Sequence, residues 1–404
     1  MKRQIFNVDT LGQAGAVLLC FALPISTALT SILMGVVFVA WFFGKNRAQK
    51  WQIASRHRVL DWIYPLMLLS ILGVLYSTGE SESILNGLSD SLRLLLIPIL
   101  LYFYRQPKMM TLSLWAFILA MCVTLILVFL KVYGGLPIGL KYSAGAIFKS
   151  HIKTSFFMAM AVFFLAHQIK STPRYRMVLG MIIALMIYYL FFINAGRIGY
   201  LTLMVLSLLF FWQHLRLKGV LIGSTCVIAL LCITYLTSSV FNERINMLSQ
   251  DLDFYHQGGR LAESSLGSRL QFAESSLELM AKKPLLGWGT GSFGAAYASL
   301  YEGKNTLLTD NPHNEYLRLG VEFGGLGLLV LLLMFAHQWQ LMKKLPDNMK
   351  MLGQGFLLTF ILGCFFNSWI RDATEGVFYC VMIALIFSTL PLPERKFLVK
   401  ASVH

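Results

Sequence analysis

The residues best suited to chemistry lie between Asp310 and Gly320, where a polar stretch of the chain leads into an apolar one. Within it, His313, Asn314 and Glu315 supply an imidazole, an amide and a carboxylate in succession. Histidine is the side chain best suited to move protons near neutral pH. If the apolar stretch is a membrane helix, His313 lies at the rim of the bilayer, where it could act on a lipid-linked substrate.

Two arginines supply the positive charge that such chemistry would need. Arg197 follows Gly196 in a short turn between two apolar segments, and Arg269 begins an amphipathic segment. A guanidinium group is permanently charged, and its planar fork matches phosphate oxygens. Two of them could hold a diphosphate leaving group without a metal ion, while a neutral His313 accepts a proton from an attacking sugar hydroxyl. This combination suits glycosyl transfer from a lipid diphosphate.

Each of the three residues also has a structural interpretation. Arg197 could anchor the end of its helix among lipid phosphates. Arg269 could pair with Glu263 or Glu274 on a solvated helix face. His313 could be a helix-start residue that bonds to the backbone.

The elements that carry these residues are predicted to be membrane helices. Of 404 residues, 57% are hydrophobic and 13% are charged, which indicates an all-α integral membrane protein. The chain contains about twelve apolar runs of spanning length. Their centres lie near residues 18, 36, 69, 98, 122, 161, 186, 207, 230, 330, 361 and 385. The first run follows Lys2 and Arg3 and is interpreted as an uncleaved span.

The net charge of +15 indicates topology rather than nucleic-acid binding. Basic residues concentrate in alternate turns, which span counting places on the same side as the N-terminus. Representatives of these turns are Lys45, Arg58, Arg105, Lys170, Arg216, Lys343 and Arg395. Cytoplasmic loops carry such an excess of Lys and Arg, so both termini are predicted to be cytoplasmic. Arg197, Arg269 and His313 then all lie on the outward side.

One outward segment is long enough to fold by itself. We predict spans one to nine in residues 1–241, an outward loop domain in residues 242–313, and spans ten to twelve in residues 314–404. Apolar residues at helical spacing predict an amphipathic helix in the loop: Leu266, Leu270, Ala273, Leu277 and Met280. Gly267 or Ser268 would begin it, and Lys282 to Pro284 would end it. The glycines between Gly287 and Gly294 permit close approach of the backbone to a ligand, without the ending of a phosphate-binding P-loop.

Eight further outward residues are candidates for binding substrate. Four form a basic cluster, consisting of Lys141, Lys149, His151 and Lys153. Because positive charge is disfavoured on the outward side, this cluster indicates an anionic partner, with lysines that reach lipid headgroups as the alternative. The other four are Asn314, Tyr316, Arg318 and Arg371. Arg318 could instead pair with Glu322, one helical turn away.

Cysteine and metal-ligand patterns point to no cofactor. All six cysteines fall inside predicted spans, where they act as small apolar residues rather than as a disulfide framework. Neither paired CxxC motifs nor an HExxH motif is present in the sequence. We therefore expect neither a metal nor another cofactor.

The motifs around the candidate residues resemble the shared signature of O-antigen ligases and O-antigen polymerases. The similarity covers roughly residues 190 to 330. The motifs that carry it are Gly196-Arg197, Gly267-Ser268-Arg269, Pro284-Leu285-Leu286-Gly287-Trp288-Gly289, Pro312-His313-Asn314-Glu315-Tyr316-Leu317 and Gly324-Gly325-Leu326-Gly327.

This resemblance implies a metal-independent inverting glycosyltransferase of the bacterial inner membrane, with a GT-C-like helical bundle and a helical periplasmic loop. Ligases of the family move a polysaccharide from undecaprenyl diphosphate onto a sugar of lipid A–core. By this likeness, Arg197 and Arg269 hold the diphosphate and His313 activates the acceptor hydroxyl at the periplasmic face.

Three other activities fit parts of the pattern. An O-antigen or exopolysaccharide polymerase would use a second lipid-linked glycan as acceptor, and a protein O-oligosaccharyltransferase would use a protein serine. A lipid-linked oligosaccharide transporter would place charges near the bilayer midplane, whereas polarity gathers here at one face. Lys141 and Lys149 favour the ligase, because a phosphorylated core is anionic. The sequence predicts no particular oligomeric state.

Overall fold

The computed structural model describes residues 7–141, 143–256, 265–302 and 308–393, and within these ranges it contains helices and no β-strand. The predicted all-α class is therefore confirmed. The α-helices, in chain order from α1 to α16, are Val8–Ala22, Thr27–Phe43, Arg47–Arg56, Ile63–Gly73, Ser81–Leu92, Leu96–Phe103, Pro107–Val132, His151–Ser171, Arg176–Tyr188, Arg197–Thr237, Ser239–His256, Ser265–Lys282, Phe293–Ser299, Glu315–Met342, Asp347–Gly363 and Ala373–Phe387. Lys2, Arg3, Glu263 and Arg395 lie outside the described residues.

Seven helical segments in the described part of the chain are long and apolar enough to cross a membrane. They are Arg58–Tyr76, Ser81–Phe103, Pro107–Val132, His151–Ile169, Pro173–Ile193, Arg197–Thr237 and Glu315–Met342. An eighth arises if α2 and α3, which are bent by 114°, form one span, while α1 and α16 are shorter apolar helices. The protein is thus a multi-pass membrane protein by helix length and composition.

Each of the twelve predicted centres falls within an α-helix, but two of them share one helix. The centres near residues 207 and 230 both lie in α10, which is interrupted at Arg216, where φ is 56°. Twelve separate crossings and the GT-C-like arrangement remain predictions.

The starts of four helices meet at one end of the structure, here called the His313 end. At α8, Lys153 pairs with Asp372 at the start of α16. A Cβ added at Gly196, which precedes α10, would lie 2.8 Å from the His151 carbonyl oxygen of α8. The Glu315 N–H of α14 donates to the Cys364 carbonyl at the end of α15, at 2.8 Å. This end gathers residues that are far apart in sequence.

The predicted amphipathic helix is α12, which begins at Ser265 and ends at Lys282. Its buried face differs from the predicted one, since Leu277 is 58% exposed, whereas Phe272 and Leu279 are buried. Phe272 and Leu279 belong to a second hydrophobic cluster, separate from the main core, whose other buried members are Phe293, Ala296, Tyr297 and Val321. The helix was predicted correctly, but its face was wrong because α13 and α14 decide which side is covered.

Helix α14 is broken at Gly324, which has φ 62° and ψ −155°. A break frees backbone groups that an unbroken helix would satisfy internally. Here they bond to residues 284–289: Trp288 N–H donates to the Val321 carbonyl at 2.9 Å, and Gly325 N–H donates to the Pro284 carbonyl at 2.7 Å. Two of the sequence motifs, residues 284–289 and residues 324–327, are therefore joined by backbone hydrogen bonds.

The glycine-rich run approaches the protein's own backbone, which corrects the expectation of close approach to a ligand. Gly287, Gly289 and Gly291 all have positive φ. A Cβ at Gly287 would lie 2.6 Å from Phe323 N of α14, and one at Gly289 would lie 2.6 Å from the Gly73 carbonyl oxygen at the end of α4. The glycine-rich run therefore packs the loop helices against α4 and α14.

The predicted loop domain, residues 242–313, contains most of α11 and all of α12 and α13. Helix α11 begins at Ser239, just before the predicted boundary, and α14 begins at Glu315, just after it. The division into three domains remains a prediction.

Replacing Gly324 with alanine should destabilise the protein. A side chain at these dihedral angles, which essentially only glycine adopts, costs about 1–3 kcal/mol, and the new Cβ would lie 2.5 Å from the Leu285 carbonyl oxygen. The measurement is the melting temperature of the detergent-purified protein. Gly35→Ala is the matched control, because a Cβ there has no neighbour within 4 Å. Equal melting temperatures for the two variants would contradict this account of the break.

Candidate active site at the His313 end

The start of α14 positions His313. Asn314 is the N-cap residue, and its side-chain oxygen accepts a hydrogen bond from Leu317 N–H at 3.0 Å. Its side-chain nitrogen donates to the Phe365 carbonyl at 3.2 Å. The amide oxygen thus caps α14, and the amide nitrogen ties the helix start to the turn after α15. The structural alternative for His313 was a role at the start of the helix. In this structure Asn314 is the residue that caps α14.

His313 has φ 52°, in the left-handed region that few residues other than glycine adopt. Its backbone N–H donates to Asn311 Oδ1 at 2.9 Å. Its side chain is exposed, and ring atom Nδ1 lies 3.1 Å from Asn367 Oδ1. The Phe272 ring of α12 lies beside it, with 6.2 Å between ring centroids. The histidine is held on one side and open on the other.

The segment before His313 is attached to the turn between α15 and α16. Ser368 Oγ donates to Asn311 Oδ1 at 2.8 Å. Arg371 bonds both the carbonyl and the carboxylate of Asp310, the latter at 2.7 Å. These contacts join two segments whose residues are 54 or more positions apart, so they fix the position of the imidazole relative to α16.

Arg197 begins α10 immediately after a buried turn. Asn194 in this turn is buried, its side-chain oxygen accepts from Gly196 N–H at 2.6 Å, and its carbonyl accepts from Tyr200 OH at 2.8 Å. A Cβ at Gly199 would lie 2.9 Å from Ser155 Oγ of α8. The glycines beside Arg197 therefore allow α10 to approach α8 closely, which positions the arginine at the His313 end.

Arg269 lies on α12, one turn before Phe272 and on the same helix face. Although part of its side chain is exposed, its surroundings exclude enough solvent to lower the pKa of Arg269, and the positive charge of Arg197 lowers this pKa further. No ion pair joins Arg269 to Glu274 within the described residues. The structure thus brings Arg197 and Arg269 within electrostatic range of each other, and Arg269 close to the face that contacts His313.

Arg244 is a further cation at this site that sequence reasoning missed. It lies on α11, and it interacts electrostatically with Tyr200, as Arg197 also does. It interacts in the same way with His151 at the start of α8. The only sequence signal was its position in the predicted outward loop. The positive potential around Arg197 therefore has three arginines as its source.

The basic cluster predicted from sequence is divided by the fold. Lys149 is buried and donates to Thr27 Oγ1 at 2.7 Å. Lys153 pairs with Asp372 and also with Glu375, the latter at 3.1 Å. His151 has a buried Nδ1 atom with no hydrogen-bond partner in the described part of the chain. Lys141 is exposed.

The four other predicted binding residues take part in internal contacts. Arg318 is buried and pairs with Glu315 and with Glu322, the latter at 2.7 Å. Tyr316 OH donates to the Ile361 carbonyl at 2.9 Å. Asn314 caps α14, and Arg371 pairs with Asp310. In this structure these residues hold together the helix ends around His313.

No group of three or more His, Cys, Asp or Glu side chains in the described ranges could hold a metal ion. A cavity of about 660 Å³ is lined by His167, Arg216 and Gln354, among others. His167 lies near the other end of α8 from His151, roughly 24 Å away at the rise of an α-helix. This cavity is therefore remote from His313, Arg197 and Arg269.

The fold and the site together define a multi-pass helical membrane protein with two arginines and a histidine gathered at one end of its helices. Residues 181–332 match the family model described as O-antigen ligase. This match supports an O-antigen ligase family assignment, and the matched residues contain Arg197, Arg269 and His313. The search of curated proteins gives no significant match.

An anion should relieve the repulsion between Arg197 and Arg269. We expect inorganic diphosphate to raise the melting temperature of the detergent-purified protein, by a stabilisation of about 2.7 kcal/mol at 100 times Kd. The shift should be much smaller in Arg269→Gln and unchanged in Arg174→Gln, an exposed arginine that follows the opposite end of α8 from His151. Equal shifts in all three proteins would show that diphosphate binds elsewhere.

Proposed function

We propose that this protein transfers a polysaccharide from undecaprenyl diphosphate to a sugar of lipid A–core at the periplasmic face of the bacterial inner membrane. The family match supports the ligase or polymerase type of function. The single observation that carries the proposal is the placement of Arg197, Arg269 and His313 at one end of the helices. Each comes from a different part of the chain.

In the proposed reaction, His313 accepts the proton of the acceptor hydroxyl. The hydroxyl oxygen attacks the anomeric carbon, a new C–O bond forms, and the bond from that carbon to the diphosphate oxygen breaks. Attack opposite to the leaving group inverts the anomeric configuration. General-base assistance of this kind typically contributes about 10²–10⁴-fold in rate. The exposed face of the imidazole is the side from which an acceptor can approach.

Arg197 and Arg269 are proposed to bind the diphosphate. The charge on its oxygens grows as the sugar leaves, so fixed positive groups stabilise the transition state more than the ground state. The repulsion between the two guanidinium groups, which contributes to the lowered pKa of Arg269, is removed when an anion lies between them. Arg244 adds to the same positive potential.

The periplasmic orientation rests on the charge distribution of the turns. Lys45, Arg105 and Lys343 belong to turns that the positive-inside rule assigns to the cytoplasm. Helices α7 and α15 follow such turns, whereas α14 begins at the His313 end and runs toward one. The site is therefore proposed to face the periplasm, where both lipid-linked glycan and lipid A–core would meet it.

The acceptor is proposed to approach Lys141. Among the predicted basic cluster, Lys149 and Lys153 bond to Thr27 and to Asp372 and Glu375, whereas Lys141 is exposed. An anionic core oligosaccharide fits an exposed lysine. Asn314, Tyr316, Arg318 and Arg371 are proposed to act by holding the helix ends in place.

His313→Ala should lower transfer at least about 100-fold, because the reaction loses its proton acceptor. The measurement is a reconstituted assay with purified lipid-linked glycan and lipid A–core. His214→Ala, which removes an exposed histidine of α10, is the control and should transfer normally. Wild-type transfer by His313→Ala would refute the catalytic role. Products that lengthen the lipid-linked glycan instead would identify a polymerase.

Arg197→Lys should be nearly as inactive as Arg197→Ala in the same assay. Lysine retains the charge but lacks the planar fork that contacts two phosphate oxygens at once. Arg174→Lys serves as the control for the substitution itself. If Arg197→Lys transfers at the wild-type rate, charge alone is sufficient and the bidentate contact is not required.

Lys141→Glu should slow transfer to a phosphorylated core about 1.4- to 5-fold, because an exposed ion pair contributes about 0.2–1 kcal/mol. A dephosphorylated core should show no difference from wild type, and stabilisation by diphosphate should persist. Lys108→Glu, an exposed lysine at the start of α7, is the control. Equal slowing with both cores would mean that Lys141 does not contact acceptor phosphates.

A further inference from the structure

Asn367 lies in the turn between α15 and α16 and contacts the imidazole of His313. We propose that Asn367 is a positioning residue that holds the proton of His313 on Nδ1 and so leaves Nε2 as the base. This deepens the proposed function and rests on it. Three hydrogen bonds in series set this tautomer, beginning at the backbone N–H of His313.

The backbone N–H of His313 can only donate, and it lies 2.9 Å from Asn311 Oδ1. The amide of Asn311 must therefore present its oxygen to His313. Ser368 Oγ reaches the same oxygen at 2.8 Å, and a hydroxyl can supply the second donor. The orientation of the Asn311 amide is thus determined by the backbone.

With its oxygen so placed, Asn311 directs its side-chain nitrogen toward Asn367. The distance from Asn311 Nδ2 to Asn367 Oδ1 is 3.5 Å. Rotating the Asn367 amide by half a turn would place its N–H groups opposite those of Asn311, without a hydrogen bond between the two amides. The amide oxygen of Asn367 therefore faces both neighbours.

An amide oxygen only accepts hydrogen bonds, so the nitrogen that it contacts must carry the proton. Asn367 Oδ1 lies 3.1 Å from His313 Nδ1. In a neutral imidazole the other nitrogen, Nε2, then holds a lone pair. Nε2 has no hydrogen-bond partner among the described residues, and the side chain is exposed. The free lone pair is available to an acceptor hydroxyl.

The charged groups of the surrounding elements are largely paired with each other. Asp310 pairs with Arg371, Glu315 with Arg318, and Lys153 with Asp372. On α12, Arg269 lies one turn from Phe272, which contacts the imidazole. A neutral asparagine thus orients the ring without adding a carboxylate that would stabilise its protonated form. A base must be unprotonated to act.

The first experiment observes the tautomer directly. Nuclear magnetic resonance of the full-length protein with ¹⁵N-labelled histidine distinguishes protonated from unprotonated ring nitrogens, and His313→Gln assigns the signals. We expect wild-type His313 to carry its proton on Nδ1, and Asn367→Ala to show a larger share with the proton on Nε2. A wild-type ring protonated on Nε2, or no change in Asn367→Ala, would overturn the inference.

The second experiment uses the pH dependence of transfer. Asn367→Asp keeps an acceptor at Nδ1 but adds a negative charge that favours the protonated imidazole. The acidic limb of the pH–rate profile, where the rate rises with pH, should therefore move to higher pH by roughly one to three units. Asn367→Ala should lose roughly 10- to 100-fold in rate, as when partners that orient metal-bound histidines are removed. Asn348→Asp, the same substitution at the start of α15, should leave the limb in place.

The two experiments separate the inference from the function beneath it. If the acidic limb of the pH–rate profile does not shift in Asn367→Asp while His313→Gln is inactive, Asn367 has no role in the mechanism and His313 is still the base. Normal transfer by His313→Gln would show that His313 is not the base, whichever ring nitrogen carries the proton in the nuclear magnetic resonance experiment. A shifted limb together with the expected tautomer would support both.

Discussion

The site depends on the need to satisfy backbone groups freed by the break in α14. Gly324 leaves carbonyls and N–H groups without partners inside an apolar helix, where each unsatisfied group costs several kcal/mol. Residues 284–289 satisfy them through paired backbone hydrogen bonds. Because these residues follow α12 directly, the same bonds orient α12 against α14. The pairing thereby places Phe272 beside His313 and Arg269 on the same helix face.

The second constraint is charge. Burial lowers the pKa of Arg269, and the positive charge of Arg197 nearby lowers it further, so the two arginines approach each other at an electrostatic cost. Most other ions at the His313 end are paired internally, including Arg318 with two glutamates and Lys153 with two carboxylates. Among the described residues, Arg197 and Arg269 have no carboxylate partner and contribute with Arg244 to a positive region, which an anion would complement. A diphosphate leaving group meets this requirement.

Sequence reasoning reached the helices and the three central residues because each has a local signal. Apolar runs predicted helices at all twelve centres, and the side-chain chemistry of histidine and arginine is enough to make Arg197, Arg269 and His313 candidates. It missed the buried face of α12, the partner of the glycine-rich run, Arg244 and Asn367. Each of these depends on a contact between segments distant in sequence. The amide of Asn367 has no distinctive chemistry until Asn311 and His313 are brought to it.

The sequence by itself determined the class of protein, the sites of the helices and the residue types available for phosphate binding and proton transfer, because hydrophobic periodicity and side-chain chemistry are local properties. The tertiary structure decided which cations are free and which are paired, as the contrast between exposed Lys141 and buried Lys149 shows. It also decided which nitrogen of His313 faces outward. Pairing and hydrogen-bond direction depend on the distance between groups, and that distance is set by packing among helices far apart in the chain.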